Sequence, residues 1–295
     1  MRALVGLLIG ILLVVALYLG ASAYITNQAT RADRSPVEGT PADVGLSYED
    51  VTFESADDLV PLRGWYLPSR GERAIIFVHG IGQNRWNAWE SVPQKAQLFV
   101  QNGYDVLVFD LRGHGESDGE RLGFGWQERN DVRGAVSYVE RRGIPAGRIG
   151  LQGHSYGAAT ALLSAAETPD VAAVVADSAF ADVRSLLNNE VQLRGYPPIF
   201  TPGIQLIGAQ FYGLALDQIA PDQHVGKIAP RKILFIHGTA DQRIPVENSY
   251  KLFEAAHNPE DELWILPGTA HVQAFADQPE LYSQKVLALF GQNLK

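Results

Sequence analysis

Five consecutive residues constrain this chain more than any others: Gly153-His154-Ser155-Tyr156-Gly157. They follow the short run Arg148-Ile149-Gly150-Leu151-Gln152 and precede an Ala-rich stretch over residues 158–166. A buried run, a tight turn with two glycines, then strong helix formers read as strand, turn and helix. Such a turn lifts the Ser155 hydroxyl out of a sheet and sets it at the head of a helix. The two glycines stand where neighbouring backbone and side chains come too close for a Cβ. G-x-S-x-G in that setting is the pattern of a nucleophile elbow.

A serine hydroxyl needs a base to take its proton and an orienter behind that base. Two later segments offer them. Residues 231–238 (Arg-Lys-Ile-Leu-Phe-Ile-His-Gly) read as a short buried strand closed by glycine, and Asp241 sits in the loop that follows. Residues 262–266 read as another strand, and the loop Pro267-Gly268-Thr269-Ala270-His271 follows it. Strand ends of a parallel sheet share one edge, where the sites of open α/β folds gather. Asp177, at the end of a strand over residues 171–176, is a second candidate for the acid.

Further motifs fall in order around these three: Val78-His79-Gly80-Ile81-Gly82, Asp110-Leu111-Arg112-Gly113-His114-Gly115-Glu116-Ser117, His237-Gly238-Thr239-Ala240-Asp241 and Gly268-Thr269-Ala270-His271. With the order Ser, Asp, His, the chain resembles the serine-hydrolase branch of the α/β-hydrolase superfamily. It is most similar to bacterial esterase/lipase-like and monoacylglycerol-lipase-like or prolyl-oligopeptidase-like members with an N-terminal membrane segment. The resemblance covers residues 46–295. It implies an α/β-hydrolase fold: a mostly parallel eight-stranded sheet, helices on both faces and a small helical cap.

Within that resemblance Ser155 is the nucleophile, His271 the general base and then acid, and Asp241 the group that fixes the imidazole tautomer. The residue after the nucleophile offers one oxyanion donor, the Tyr156 N–H. By resemblance the second is the N–H of Ile81. The other histidines have local roles: His79 shapes the oxyanion loop, His114 holds its own Gly-rich loop, His154 packs beneath the elbow, and His237 is structural. His224 and His257 belong to the surface. Asp110 and Arg112 read as a pair bracing their loop. Trp86 and Trp89 either line the entrance or pack in the core. A dehalogenase or epoxide hydrolase of this fold would carry a carboxylate where Ser155 stands.

Composition narrows the partners. The net charge of −9 over 295 residues, with no basic stripe, argues against nucleic acid. The absence of cysteine excludes disulfides, cysteine catalysis and cysteine metal sites. There is no metal motif, Walker A sequence or dinucleotide fingerprint, so neither a metal nor another cofactor is expected. A small-molecule or lipid-like ester is the expected substrate. A peptidase or amidase, an acyl-protein thioesterase, and a non-catalytic hydrolase-fold binding or scaffold protein are the alternatives.

Residues 3–25 carry no charge, and as a helix would span about 34 Å, enough to cross a membrane. Two readings follow. Residues 1–25 are an uncleaved anchor, or a signal peptide cut near Ala23 in the sequence Ala21-Ser22-Ala23. Either one places the catalytic domain outside the cytoplasm. Residues 26–45 are polar and aperiodic and read as a linker, leaving 46–295 as the hydrolase domain. Within it, residues 178–230 break the strand–helix rhythm with Pro197, Pro198, Pro202 and Pro221 and several aromatics. In this position the family inserts a cap over the site.

Overall fold

The computed structural model describes residues 1–32, 34–69 and 71–295. Eight strands build one sheet: β1 (Glu49–Glu54), β2 (Pro61–Leu67), β3 (Ala74–Val78), β4 (Asp105–Phe109), β5 (Ile149–His154), β6 (Val171–Asp177), β7 (Lys232–Gly238) and β8 (Glu262–Leu266). Their spatial order is β1-β2-β4-β3-β5-β6-β7-β8. The β1–β2 and β2–β4 pairings are antiparallel, and every pairing from β4 to β8 is parallel. The elbow thus closes an inner strand, β5, with the loops after β6, β7 and β8 beside it on one edge.

The helices are α1 (Arg2–Thr30), α2 (Val92–Gln101), α3 (Arg129–Arg141), α4 (Tyr156–Ala165), α5 (Val183–Leu193), α6 (Thr201–Phe211), α7 (Pro221–His224), α8 (Glu247–Ala256), α9 (Ala274–Asp277) and α10 (Pro279–Asn293). α3, α4 and α8 bury their apolar stripes on one face of the sheet, and α2 and α10 on the other. Cover on both faces explains why β3, β4 and β5 are buried at every residue, with β3 apolar throughout and β4 apolar after Asp105. Gly150 of β5 leaves room for the Phe290 ring of α10, which a Cβ would meet at 2.5 Å.

α2 begins at Val92, not at Trp89 where the helical spacing begins. Ser91 takes a left-handed φ of 55°, and Pro93 occupies the first turn, where its missing N–H costs nothing. The cap comprises α5, α6, α7 and two short 3₁₀ turns, Pro198–Phe200 and Val225–Ile228. Asp182 starts α5 by accepting a hydrogen bond from the Ser185 N–H at 2.7 Å.

α1 runs five residues past the expected span of 1–25, into the expected linker, and ends at Thr30, the last uncharged residue before Arg31. Its first part, from Arg2 to Leu17, has every side chain exposed. Its last part lies along α6, with Ser22, Ile25, Thr26 and Thr30 buried. Beyond it the Arg34 guanidinium donates to the carbonyls of Gly115, Ser117 and Gly119. Ser35 donates to the Gly82 carbonyl at 2.6 Å. The polar segment after α1 is therefore docked along the loops that surround the elbow.

Candidate active site

Ser155 joins β5 to α4 with φ 54° and ψ −121°, a conformation that non-glycine residues adopt only under constraint. The constraint is visible. Its N–H donates to the Asp177 carbonyl at 2.7 Å, and its carbonyl accepts from the Ala158 and Ala159 amides. A Cβ on Gly153 would lie 2.6 Å from the Ala158 Cα, and one on Gly157 would lie 2.1 Å from the Val78 carbonyl oxygen. Those two contacts are why the turn carries glycine on both sides of the serine. Two neighbours share the strain: Ser178 (φ 58°) after β6 and Val272 (φ 55°) after the histidine, tied by a 3.2 Å hydrogen bond from the Val272 N–H to the Ser178 hydroxyl.

The loops after β5, β7 and β8 bring three side chains into one chain of hydrogen bonds. His271 Nε2 lies 2.8 Å from Ser155 Oγ, and His271 Nδ1 lies 2.6 Å from Asp241 Oδ2. A carboxylate only accepts, so Nδ1 carries the proton and Nε2 is left as acceptor for the Ser155 O–H. Asp241 is held in turn by the Arg243 and Ile244 amides, both 2.9 Å from Oδ1. His237 Nε2 donates to the Ile244 carbonyl at 2.7 Å and stands 3.1 Å from Asp241 Oδ2. Burial alone would raise the Asp241 carboxyl. The hydrogen bonds from His237, His271 and the Ile244 amide outweigh it and hold the group at about 2.

Asp177 sits otherwise. Its carboxyl is fully buried, takes a 3.0 Å hydrogen bond from the Ser178 hydroxyl, and leaves Oδ2 without a partner. Burial raises it, against the pull of Lys95. It belongs to an interior polar cluster with Lys95, His154 and Glu90. Lys95, fully buried on α2, donates to His154 Nε2 at 2.8 Å and lies 4.7 Å from the centre of the Tyr282 ring. Burial first, then the Lys95 charge, keeps His154 neutral. Glu90 completes the cluster, and its Oε1 accepts from the Gly80 N–H at 2.9 Å. A signal for Lys95 was present: Val92, Lys95, Ala96 and Phe99 occupy one helical face, and only the lysine is polar.

Gly80 lies against Ser155, since a Cβ there would be 3.4 Å from the Ser155 Cβ. His79 donates from Nδ1 to the Gly80 carbonyl (2.8 Å) and accepts the Leu111 N–H at Nε2 (3.0 Å). Burial and the adjacent His114 lower His79 to about 3, so it is a neutral brace for this loop. Ile81 and Tyr156 both border the cavity beside Ser155. Tyr156 is the first residue of α4, where a backbone N–H has no acceptor within the helix.

That cavity is mostly apolar. Its walls include Phe124, Phe180, Leu187 and Ile244 from the body and first cap helix, Ile204 from α6, and Ile25 and Ala29 from α1. Arg243 borders it and is bound to Glu190 at 2.9 Å. Trp89 is half exposed, 6.1 Å from the His271 ring, whereas Trp86 is buried against Trp65. Asp110 and Arg112 do not pair with each other. Asp110 binds Arg85 (2.5 Å), and Arg112 binds Asp58 (2.5 Å) and Asp131 (2.6 Å). The two side chains leave the loop toward different neighbours, and each braces it separately. Among the described residues no three His, Asp or Glu side chains converge as a metal site would require.

Comparison with known proteins agrees with this architecture. A family model described as the alpha/beta hydrolase fold matches residues 73–204. YfhR of Salmonella typhi is 29% identical over 293 residues, covering 93% of this chain and 90% of the relative. YqkD of Bacillus subtilis is 30% identical over 234 residues, covering 76% of this chain and 73% of the relative. Among solved structures, an esterase of Pyrococcus furiosus superimposes with a TM-score of 0.76 at 25% identity, covering 90% of this chain and 99% of the other. With its sheet order, its strand-end loops and these relatives taken together, the chain belongs to the α/β-hydrolase superfamily.

Proposed function

We propose that the protein is a membrane-anchored serine hydrolase that cleaves carboxylic esters through an acyl-enzyme on Ser155. The observation that carries this reading is the continuous hydrogen-bond chain from Ser155 through His271 to Asp241, at 2.8 and 2.6 Å. His271 Nε2 takes the hydroxyl proton as Ser155 Oγ attacks the ester carbonyl carbon. The tetrahedral oxyanion is met by the Ile81 and Tyr156 amides, each worth about 3 kcal/mol of barrier. Collapse breaks the bond to the alcohol, which leaves with the proton from His271. Water, deprotonated by the same imidazole, then releases the acid and restores Ser155. Asp241 stabilises the imidazolium without taking its proton.

Ester rather than amide is supported by the apolar cavity beside Ser155 and by the likeness to an esterase over nearly the whole chain. In this reading residues 1–25 form the anchor, 26–45 the connection, and 46–295 the catalytic domain outside the cytoplasm, with a cap at 178–230. Retention of the anchor is favoured by Tyr18 and Ser22. Cleavage after Ala23 would remove both, and both lie against Gly203 of the cap.

A panel of p-nitrophenyl esters and aminoacyl anilides tests the proposal. Ester turnover that disappears in Ser155→Ala is the expected result. Anilide cleavage with no ester turnover would move the activity to a peptidase. No turnover of either by folded protein would favour a binding role.

A further inference from the structure

We propose that the end of the anchor helix is a wall of the acyl cavity, and that the site takes the single hydrocarbon chain of an ester resident in the adjoining membrane leaflet. This rests on the serine-hydrolase and anchor readings above and adds to them a substrate class and a route of entry.

The first observation is the wall itself. Ile25 and Ala29 of α1 border the same cavity as Ser155 and Ile81, facing Val191 and Ile204 of the cap. Ile25, Val191 and Ile204 also form a small apolar cluster of their own. A helix serving only as a tether would have no reason to reach the nucleophile's cavity.

The second is register. The apolar run opens after the charge of Arg2. A hydrocarbon core about 30 Å thick takes about 20 helical residues, which brings its edge to the neighbourhood of Ser22. The uncovered part of α1, Arg2 to Leu17, spans only about 24 Å. The core must therefore extend over the turn of α1 that the cap already covers. Ile25 is three residues beyond Ser22, about 4.5 Å along the axis. The cavity begins where the hydrocarbon ends.

The third is the chemistry of the cap where it meets α1. The Tyr18 hydroxyl donates to the Ile199 carbonyl and accepts from the Gly203 N–H, both at 2.9 Å. The Tyr18 ring stacks on Phe200 at 5.8 Å. Backbone groups at the edge of a bilayer need protein partners, and an aromatic ring with a polar tip suits that depth. Thr26 and Thr30 return their hydroxyl protons to the Ser22 and Thr26 carbonyls, at 2.7 and 2.9 Å. Ile199 is 68% exposed here, beside the uncharged anchor helix. The opposite end of α6 lies near Asn27, where Tyr212 approaches at 3.4 Å. Thus α6 rises away from the leaflet, and the cavity lies along that rise.

The test uses the full-length protein in phosphatidylcholine vesicles with butyl and dodecyl fluorophosphonates, reading labelling of Ser155. The wild type is expected to react faster with the dodecyl probe. Ile25→Trp fills the cavity and lowers the dodecyl-to-butyl rate ratio at least tenfold; Ile25→Ala deepens it and shifts the preference to still longer chains. Unchanged ratios in both variants would overturn the wall assignment and leave Ser155 as nucleophile. No labelling of the wild type by either probe would overturn the nucleophile reading and this proposal with it. For depth, the chain has no native cysteine, so Ile199→Cys and Phe211→Cys each carry one polarity-sensitive dye. Brominated acyl chains should quench the dye at 199 at least twofold more than the dye at 211. Equal quenching would overturn entry from the leaflet.

Discussion

The sheet edge and the cap meet at Ser155 and are held by different forces. At the edge, directional bonds fix every group: the Ser155, Ser178 and Val272 backbones are strained, and Asp241 receives backbone amides on one oxygen and imidazoles at the other. Where α1 meets the segment between β6 and β7, apolar side chains from α1, α5 and α6 close a cavity, with hydrogen bonds through Tyr18 and Thr26 at its margin. Non-directional burial tolerates changes in shape that a strained turn does not. On the proposed function, the reaction and the choice of substrate would reside in separable parts. Edge variants should change kcat with little effect on chain-length preference, and cap variants should do the reverse.

The hardest test of that division is Ser155→Ala. It should lower kcat by about 10⁴-fold or more and leave the thermal midpoint within about 2 °C, measured by ester hydrolysis and calorimetry. Next comes the acid. Asp241→Asn should cost about 10³- to 10⁴-fold in kcat, whereas Asp177→Asn should cost less than about tenfold. The opposite ranking would transfer the orienting role to Asp177.

Glu90 probes whether the interior cluster belongs with the edge. Glu90→Ala frees the Gly80 N–H and should lower kcat about 10- to 100-fold with KM little changed. Glu90→Gln keeps an acceptor there and should recover most of the rate, because burial already favours the neutral carboxyl at this site. A cap variant should behave differently. Gly203→Leu places a Cβ 2.2 Å from the Ser22 Oγ. It should raise KM for long-chain esters about three- to tenfold while changing kcat for an acetyl ester by about twofold or less.

The smallest effect is on acid stability. Asp241 is held at about 2, below its usual value of 3.8. Its contribution, about 2 kcal/mol, is present above pH ~4 and lost as pH falls through ~2. The stability difference between wild type and Asp241→Asn, from urea unfolding, should therefore shrink between pH 5 and 2.

The same division explains what the sequence made legible. Strand-end motifs are short and local: β5, β7 and β8 each end in the loop that carries Ser155, Asp241 or His271. The sheet could be read because the middles of its parallel strands are short apolar or small runs, as at residues 75–77, 106–108, 171–176 and 233–236. The cap is not so readable, since its helices owe their orientation to α1. An all-apolar helix gives no facing side until Ser22, Thr26 and Thr30 mark one at four-residue spacing. Asp110 and Arg112 misled by adjacency; their partners, Arg85, Asp58 and Asp131, come from other parts of the fold. Lys95 was overlooked because a lysine is expected in solvent, although its position on the apolar face of α2 pointed inward.

The most direct test is to treat the full-length protein with a fluorophosphonate and map the adduct by peptide mass spectrometry. A single phosphonyl group on Ser155, absent when His271 is replaced by Ala, is the result the account predicts. A folded protein that stays unmodified, or one modified at another serine with Ser155 untouched, would contradict it.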